Sequence, residues 1–196
     1  MDKQLSIYVS AAPEMDAECE LLGQMLAQLM PAVRWEVRRT PRCAGCGNPD
    51  LAALRASSLY LILLGADIVA PMGVEWMAAQ QAGLTSLAYR SARAIPSPAA
   101  SSFARNAGVV WGAFSSPLDL RQQFERALIE ALLSGTPGFG LDLADIEGLA
   151  ERRRVLLDEA KAPAGIGAGV PQGEERRGAG GGGVILPRAL AGRADA

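Results

Sequence analysis

The run Leu59-Tyr60-Leu61-Ile62-Leu63-Leu64-Gly65 sets the architecture. Six consecutive apolar side chains leave a strand no solvent-facing side, so it belongs in the middle of a parallel sheet covered on both faces. The neighbouring runs differ in kind. Leu5-Ser6-Ile7-Tyr8-Val9 is a short β-rich stretch, and Val33-Arg34-Trp35-Glu36-Val37-Arg38 alternates apolar with charged residues, the pattern of a half-exposed edge strand. Residues 84–89 and 109–111 supply two further strands.

Helical spacing fills the gaps. Met15, Cys19, Leu22, Leu26 and Leu29 recur at steps of three and four, which predicts a helix over 14–30. Shorter helices are expected over 74–82 and 101–106. Ser116-Pro117-Leu118-Asp119 combines an N-cap serine, a proline at the first helical position and an acidic residue in the first turn, and the helix it opens runs to Gly135. A last helix over 143–160 starts at Asp142 and carries Ile146, Leu149, Leu156 and Leu157 on one side. On another it carries Arg152-Arg153-Arg154, read as a solvated face.

Strands alternating with helices predict an α/β fold: a flavodoxin-like three-layer sandwich with a five-stranded parallel sheet in the order 2-1-3-4-5. Ligands of such sheets bind beyond the carboxyl ends of the first and third strands, where the chain reverses direction across the sheet. The loops Ser10-Ala11-Ala12-Pro13 and 65–73 meet there.

Composition narrows the chemistry. With 19 Lys plus Arg against 21 Asp plus Glu, the net charge of −2 lacks the basic excess of a nucleic-acid binder. Histidine is absent, which removes Ser-His-Asp and Cys-His catalysis and histidine-ligated metals. The longest uncharged stretch, 76–89, has 14 residues, fewer than the ~18 a membrane-spanning helix needs. Met1-Asp2-Lys3-Gln4 has no basic leader character, so a cytoplasmic location is expected. Residues 163–196 include 10 Gly among 34 and read as a disordered tail, with the run 180–183 a linker and not a phosphate loop. The predicted organisation is a 1–135 α/β domain, a 136–162 helical extension and this tail.

Candidate functional residues gather after the apolar strand. Glu75 is expected in the first turn of its helix, where free N–H groups and peptide dipoles keep a carboxylate ionised at a pocket rim. There it would suit a developing positive charge at a sugar C1 centre, or merely suit the dipole. Asp67 is either a second carboxylate or a turn residue, and Trp76 either stacks on a base or packs on the sheet. Arg90, at the end of the fourth strand, either meets a phosphate or is solvated. No Gly-x-Gly-x-x-Gly occurs over 65–73, so no nicotinamide hydride chemistry and no cofactor is implied. Cys43 and Cys46 in Arg42-Cys43-Ala44-Gly45-Cys46-Gly47 resemble half a zinc knuckle. The third cysteine, Cys19, faces the expected core, so an intrachain zinc site would need a carboxylate ligand, and a plain loop is the main reading.

A first strand ending Val9-Ser10, then an acidic helix, then 59–65 followed by Gly73-Val74-Glu75-x-x-Ala78-Ala79 and a return strand, resembles the TIR-like and nucleoside 2-deoxyribosyltransferase-like superfamily over residues 4 to 134. It is most similar to TIR-like domains of bacterial conflict and signalling proteins. The resemblance implies a nucleotide-binding domain in which Glu75 is the catalytic carboxylate, cleaving the N-glycosidic bond of NAD or a nucleoside. Ser10 would line the phosphate or ribose side, with Gly65, Asp67, Gly73, Trp76 and Arg90 around the ligand. It equally implies a non-catalytic module that self-associates. The loop after the first strand, Ala11-Ala12-Pro13, departs from active members in lacking acidic or aromatic residues.

Overall fold

Among the described residues five strands form one parallel sheet: β1 (Gln4–Ala11), β2 (Arg34–Arg39), β3 (Leu59–Leu64), β4 (Thr85–Ser91) and β5 (Gly112–Phe114), in the order β2-β1-β3-β4-β5. The computed structural model describes residues 4–29, 34–41, 48–134 and 139–161. The helices are α1 (Asp16–Leu29), entered through a 3₁₀ turn at Pro13–Met15, α2 (Leu51–Arg55), α3 (Ala70–Gln81), α4 (Pro98–Asn106), α5 (Pro117–Ser134) and α6 (Leu143–Lys161). This is the predicted α/β flavodoxin-like sandwich with the predicted strand order.

The apolar strand is buried at every position, as its composition demands, with Ile7 of β1 opposite Leu59 and Leu64 opposite Arg90 of β4. Its alternation divides the core in two. Leu59, Leu61 and Leu63 join Ile7 and Val9 of β1 under α1, α5 and α6, while Tyr60 and Ile62 join Tyr8 under α2, α3 and α4. β2 is the exposed edge, displaced by one residue from the run that predicted it.

Three local departures have physical causes. The fifth strand begins at Gly112, not Val109: Gly108 turns with φ +67°, Val110 is 92% exposed, and Trp111 donates its indole N–H to Ala104 O at 3.0 Å. A Cβ on Gly112 would stand 2.5 Å from the Tyr89 ring, so the residue that pairs with Tyr89 has to be glycine. Helix α3 starts four residues before the expected Val74, because extended Val69 caps it and Pro71 sits at its second position, where no N–H is needed. Helix α2 is absent from the sequence reading, although Asp50 caps it by accepting from Ala53 N at 2.9 Å.

Helix α6 packs on the domain through Leu149 and Leu156, worth roughly 1.5–3 kcal/mol each. Ile146 and Leu157, expected beside them, stay largely exposed. The arginine triplet is solvent-accessible as expected, with Arg154 68% exposed, but it is also paired: Arg152 reaches Glu125 of α5 at 2.6 Å, Arg153 reaches Glu130 of α5 at 3.3 Å, and Arg154 pairs with Glu151 on its own helix. Two of the three therefore join α6 to α5. The glycine-rich tail, Gly135, and the Cys43–Cys46 knuckle lie outside the described residues.

Candidate functional site

Period-two alternation points Tyr8 and Ser10 to the same face of β1, the face α3 covers. Glu75 lies in the second turn of α3, not the first, because the helix begins at Ala70. From there its carboxylate reaches inward across the sheet. Tyr8 Oη donates to Glu75 Oε1 at 2.8 Å, and Ser10 Oγ and Thr40 Oγ1 donate to Oε2 at 2.5 and 2.7 Å. Thr40, just beyond β2, also accepts from Ala11 N at 3.3 Å. Glu75 is 0% exposed, so three hydroxyls from two chain segments replace its hydration, and no cation pairs with it among the described residues.

The cluster raises the pKa of its phenols. Burial pushes Tyr8 far above the ordinary tyrosine value, and its hydrogen bond to the Glu75 carboxylate, which favours the protonated phenol, adds to this. Burial raises Tyr60 in the same direction. The Ser10 hydroxyl offsets part of that rise, yet Tyr60 Oη makes no hydrogen bond of good geometry. Tyr8 and Tyr60 stack with ring centres 6.5 Å apart, and Trp76 packs against Tyr60 at 5.9 Å and Phe103 at 6.1 Å. Trp76 is thus a core side chain and Ser10 a buried internal donor. The rim position expected of Glu75 is replaced by an interior one.

An open cleft of about 740 Å³ lies elsewhere on the same carboxyl rim. It is floored by the ends of β3, β4 and β5 and walled by α4, with Gly65, Arg90, Ser91, Ser101, Arg105 and Trp111 contributing. Its volume suits a drug-sized or nucleotide-sized molecule. Two guanidiniums line it and no carboxylate does, and neither has an acidic partner among the described residues. The wall is anchored by Asp67, whose carboxylate accepts from Ser97 Oγ at 2.5 Å and from Ile68 N at 2.8 Å. Ser97 in turn caps α4 through Ala100 N at 3.0 Å, and its own N–H bonds Ala66 O at 2.7 Å. The Ser97 hydrogen bond, then the Ile68 amide, hold the Asp67 carboxyl below the usual carboxylate range. Asp67 is the turn residue of its two readings.

The expected site residues therefore separate. Gly65 and Arg90 meet at the cleft, and Glu75, Ser10 and Trp76 meet in the interior. Gly73 joins neither group: a Cβ placed on it would have no neighbour within 4 Å. Sequence reading missed Tyr8, Thr40 and Arg105. Tyr8 was reachable from its two-residue spacing to Ser10, whereas Arg105 joins Arg90 only once α4 folds over the strand ends. Among the described residues no cluster of acidic and cysteine side chains could hold a metal ion, and no helix is long and apolar enough to cross a membrane. No known protein family matches the chain, and no curated protein does.

Proposed function

We propose that the chain is a nucleotide-binding module of TIR-like character that takes its ligand in the rim cleft, with the anionic phosphates on Arg90 and Arg105. The observation that carries this reading is a cleft of nucleotide size lined by two guanidiniums and no carboxylate. Guanidiniums bind phosphate through paired N–H donors and remain charged at any working pH. The glycosidic cleavage implied by the resemblance requires Glu75 at the ligand, and its burial beneath three hydroxyls supports an internal strut instead.

Calorimetric titration with AMP and NAD tests the proposal. Binding to the wild type should fall about 100-fold in Arg90→Ala/Arg105→Ala, since each charge-assisted hydrogen bond removed is worth roughly 1.5–3 kcal/mol. Equal binding by both proteins sinks it. The same samples, incubated and assayed for free nicotinamide or base, decide the role of Glu75: release that disappears in Glu75→Gln restores the catalytic reading.

A second reading, self-association, is favoured by Val74 and Met77. They stand one turn apart on α3, 50% and 60% exposed, on a helix whose other face is fully packed. Light scattering across a concentration series, wild type beside Met77→Glu, tests it.

A further inference from the structure

The cleft has a neighbour that its cationic lining does not explain. Gly65 closes the end of β3, and a Cβ built on it would meet Glu14 Oε1 at 2.7 Å and Met15 Cε at 2.8 Å. The carboxylate of Glu14 therefore lies directly over the peptide of a residue that lines the cleft. Strand alternation assigns the sides. Leu63 faces α1 and α5, so the Cβ direction of Gly65, two residues on, points to the α1 side, where Glu14 stands, while Arg90, Ser101 and Arg105 approach from the α4 side. Gly65 is the residue common to both: it lines the cleft, and the Glu14 side chain lies against it. Glu14 is exposed, and among the described residues no donor or cation engages it.

A cleft of guanidiniums alone accepts any anion. An ionised carboxylate only accepts hydrogen bonds, so placed at the edge of such a cleft it repels simple anions and rewards a ligand that carries donors at a set distance from its negative group. A phosphorylated sugar with a free vicinal diol has that pairing: two hydroxyl donors for two carboxylate oxygens, and a phosphate for the guanidiniums. Resting on the nucleotide-binding reading, we infer that Glu14 is the specificity-determining residue of the cleft, taking the 2′- and 3′-hydroxyls of a ribose 5′-phosphate group while Arg90 and Arg105 hold the phosphate. Gly65 is glycine so that the sugar and Glu14 can both reach its backbone.

The test is a ratio of affinities, measured by calorimetry on the full chain in chelator-treated buffer. AMP should bind the wild type at least about 100-fold more tightly than 2′,3′-dideoxy-AMP, the loss expected for two hydrogen bonds to a charged group at roughly 1.5–3 kcal/mol each. In Glu14→Gln the ratio should collapse toward one, with AMP weakened and the dideoxy compound unchanged or tighter, because the repulsion of its phosphate is relieved. Gly65→Ala, which keeps the charge and displaces the carboxylate, should lower the ratio as well. Ribose 5-phosphate should also lose affinity in Glu14→Gln if the diol, and not the base, is recognised.

Equal affinity of the wild type for AMP and its dideoxy analogue overturns the assignment of Glu14 while leaving the guanidinium site standing. A ratio that survives both substitutions overturns it too. Absence of binding by either nucleotide, in a protein whose circular dichroism is native, overturns the nucleotide reading and this inference together.

Discussion

The Glu75 cluster and the Arg90–Arg105 cleft share one face of the sheet and handle charge in opposite ways. In the cluster a carboxylate is sealed in the core and its solvation is replaced by Tyr8, Ser10 and Thr40. In the cleft two cations stay in contact with water and without an acidic partner among the described residues. A buried charge that is fully hydrogen-bonded stabilises the arrangement around it, because removing any part strands the rest. An open charge without a partner contributes little to stability and remains available to a ligand. The carboxylate that the sequence singles out as a catalytic candidate is thus enclosed in the core.

Deleting the strut puts this contrast under the greatest strain. Glu75→Ala leaves three buried hydroxyls without their acceptor and a cavity beside them, and is expected to cost about 3–5 kcal/mol. Glu75→Gln keeps the volume and lets the hydroxyls rotate to accept from the amide, for about 1–2 kcal/mol. Urea unfolding measures both, and a loss under about 1 kcal/mol in Glu75→Ala contradicts the closed cluster. Alanine at Arg90 and Arg105 should leave the same midpoint unchanged.

The closure also has a spectroscopic consequence. The chain has three tyrosines in all, and each is held above its ordinary value: Tyr8 and Tyr60 as described, and Tyr89 pushed by burial to about 12. Free tyrosine ionises near pH 10, so absorbance at the tyrosinate band should stay flat through about pH 11 while the protein is folded. The neutral phenol is favoured only in the native state, so this stabilisation is complete below the unfolded value and is lost as pH rises through the folded one. Tyrosinate appearing near pH 10 in protein with native circular dichroism would show that the cluster is open to solvent.

The smallest expected effect concerns the cleft wall. The Asp67 carboxyl lies below its ordinary value, so the clip to Ser97 is present above the unfolded carboxylate range and is released as pH falls through the folded one. Ligand affinity at the cleft should weaken with acidification in the wild type, and Ser97→Ala should remove part of that dependence. An identical pH profile in the two proteins means the clip does not shape the wall.

Much of the fold was legible from local pattern. Continuous apolarity over 59–64 placed β3 at the centre, alternation over 33–38 placed β2 at the edge, and Ser116 with Pro117 marked the start of α5, where Ser116 Oγ indeed accepts from Asp119 N at 3.1 Å. The same cap-and-proline signal stood at Ser97-Pro98 and starts α4 three residues before the expected position. Charged stretches were less legible. The ion pairs of Arg152 and Arg153 were not legible because their acceptors, Glu125 and Glu130, lie on another helix more than twenty residues away.

Local pattern alone was enough for the class of sheet and the order of its strands, because apolar periodicity records how many faces of each element are covered. Composition alone made histidine chemistry impossible. Which polar residues meet was left to the folded chain. A start at Ala70 turned Glu75 inward, β1 alternation brought Tyr8 and Ser10 under it, and the fold of α4 carried Arg105 to Arg90. Each of these meetings joins residues far apart in the chain, and a hydrogen bond or a shared cleft depends on the distance between them in space, which no local pattern encodes.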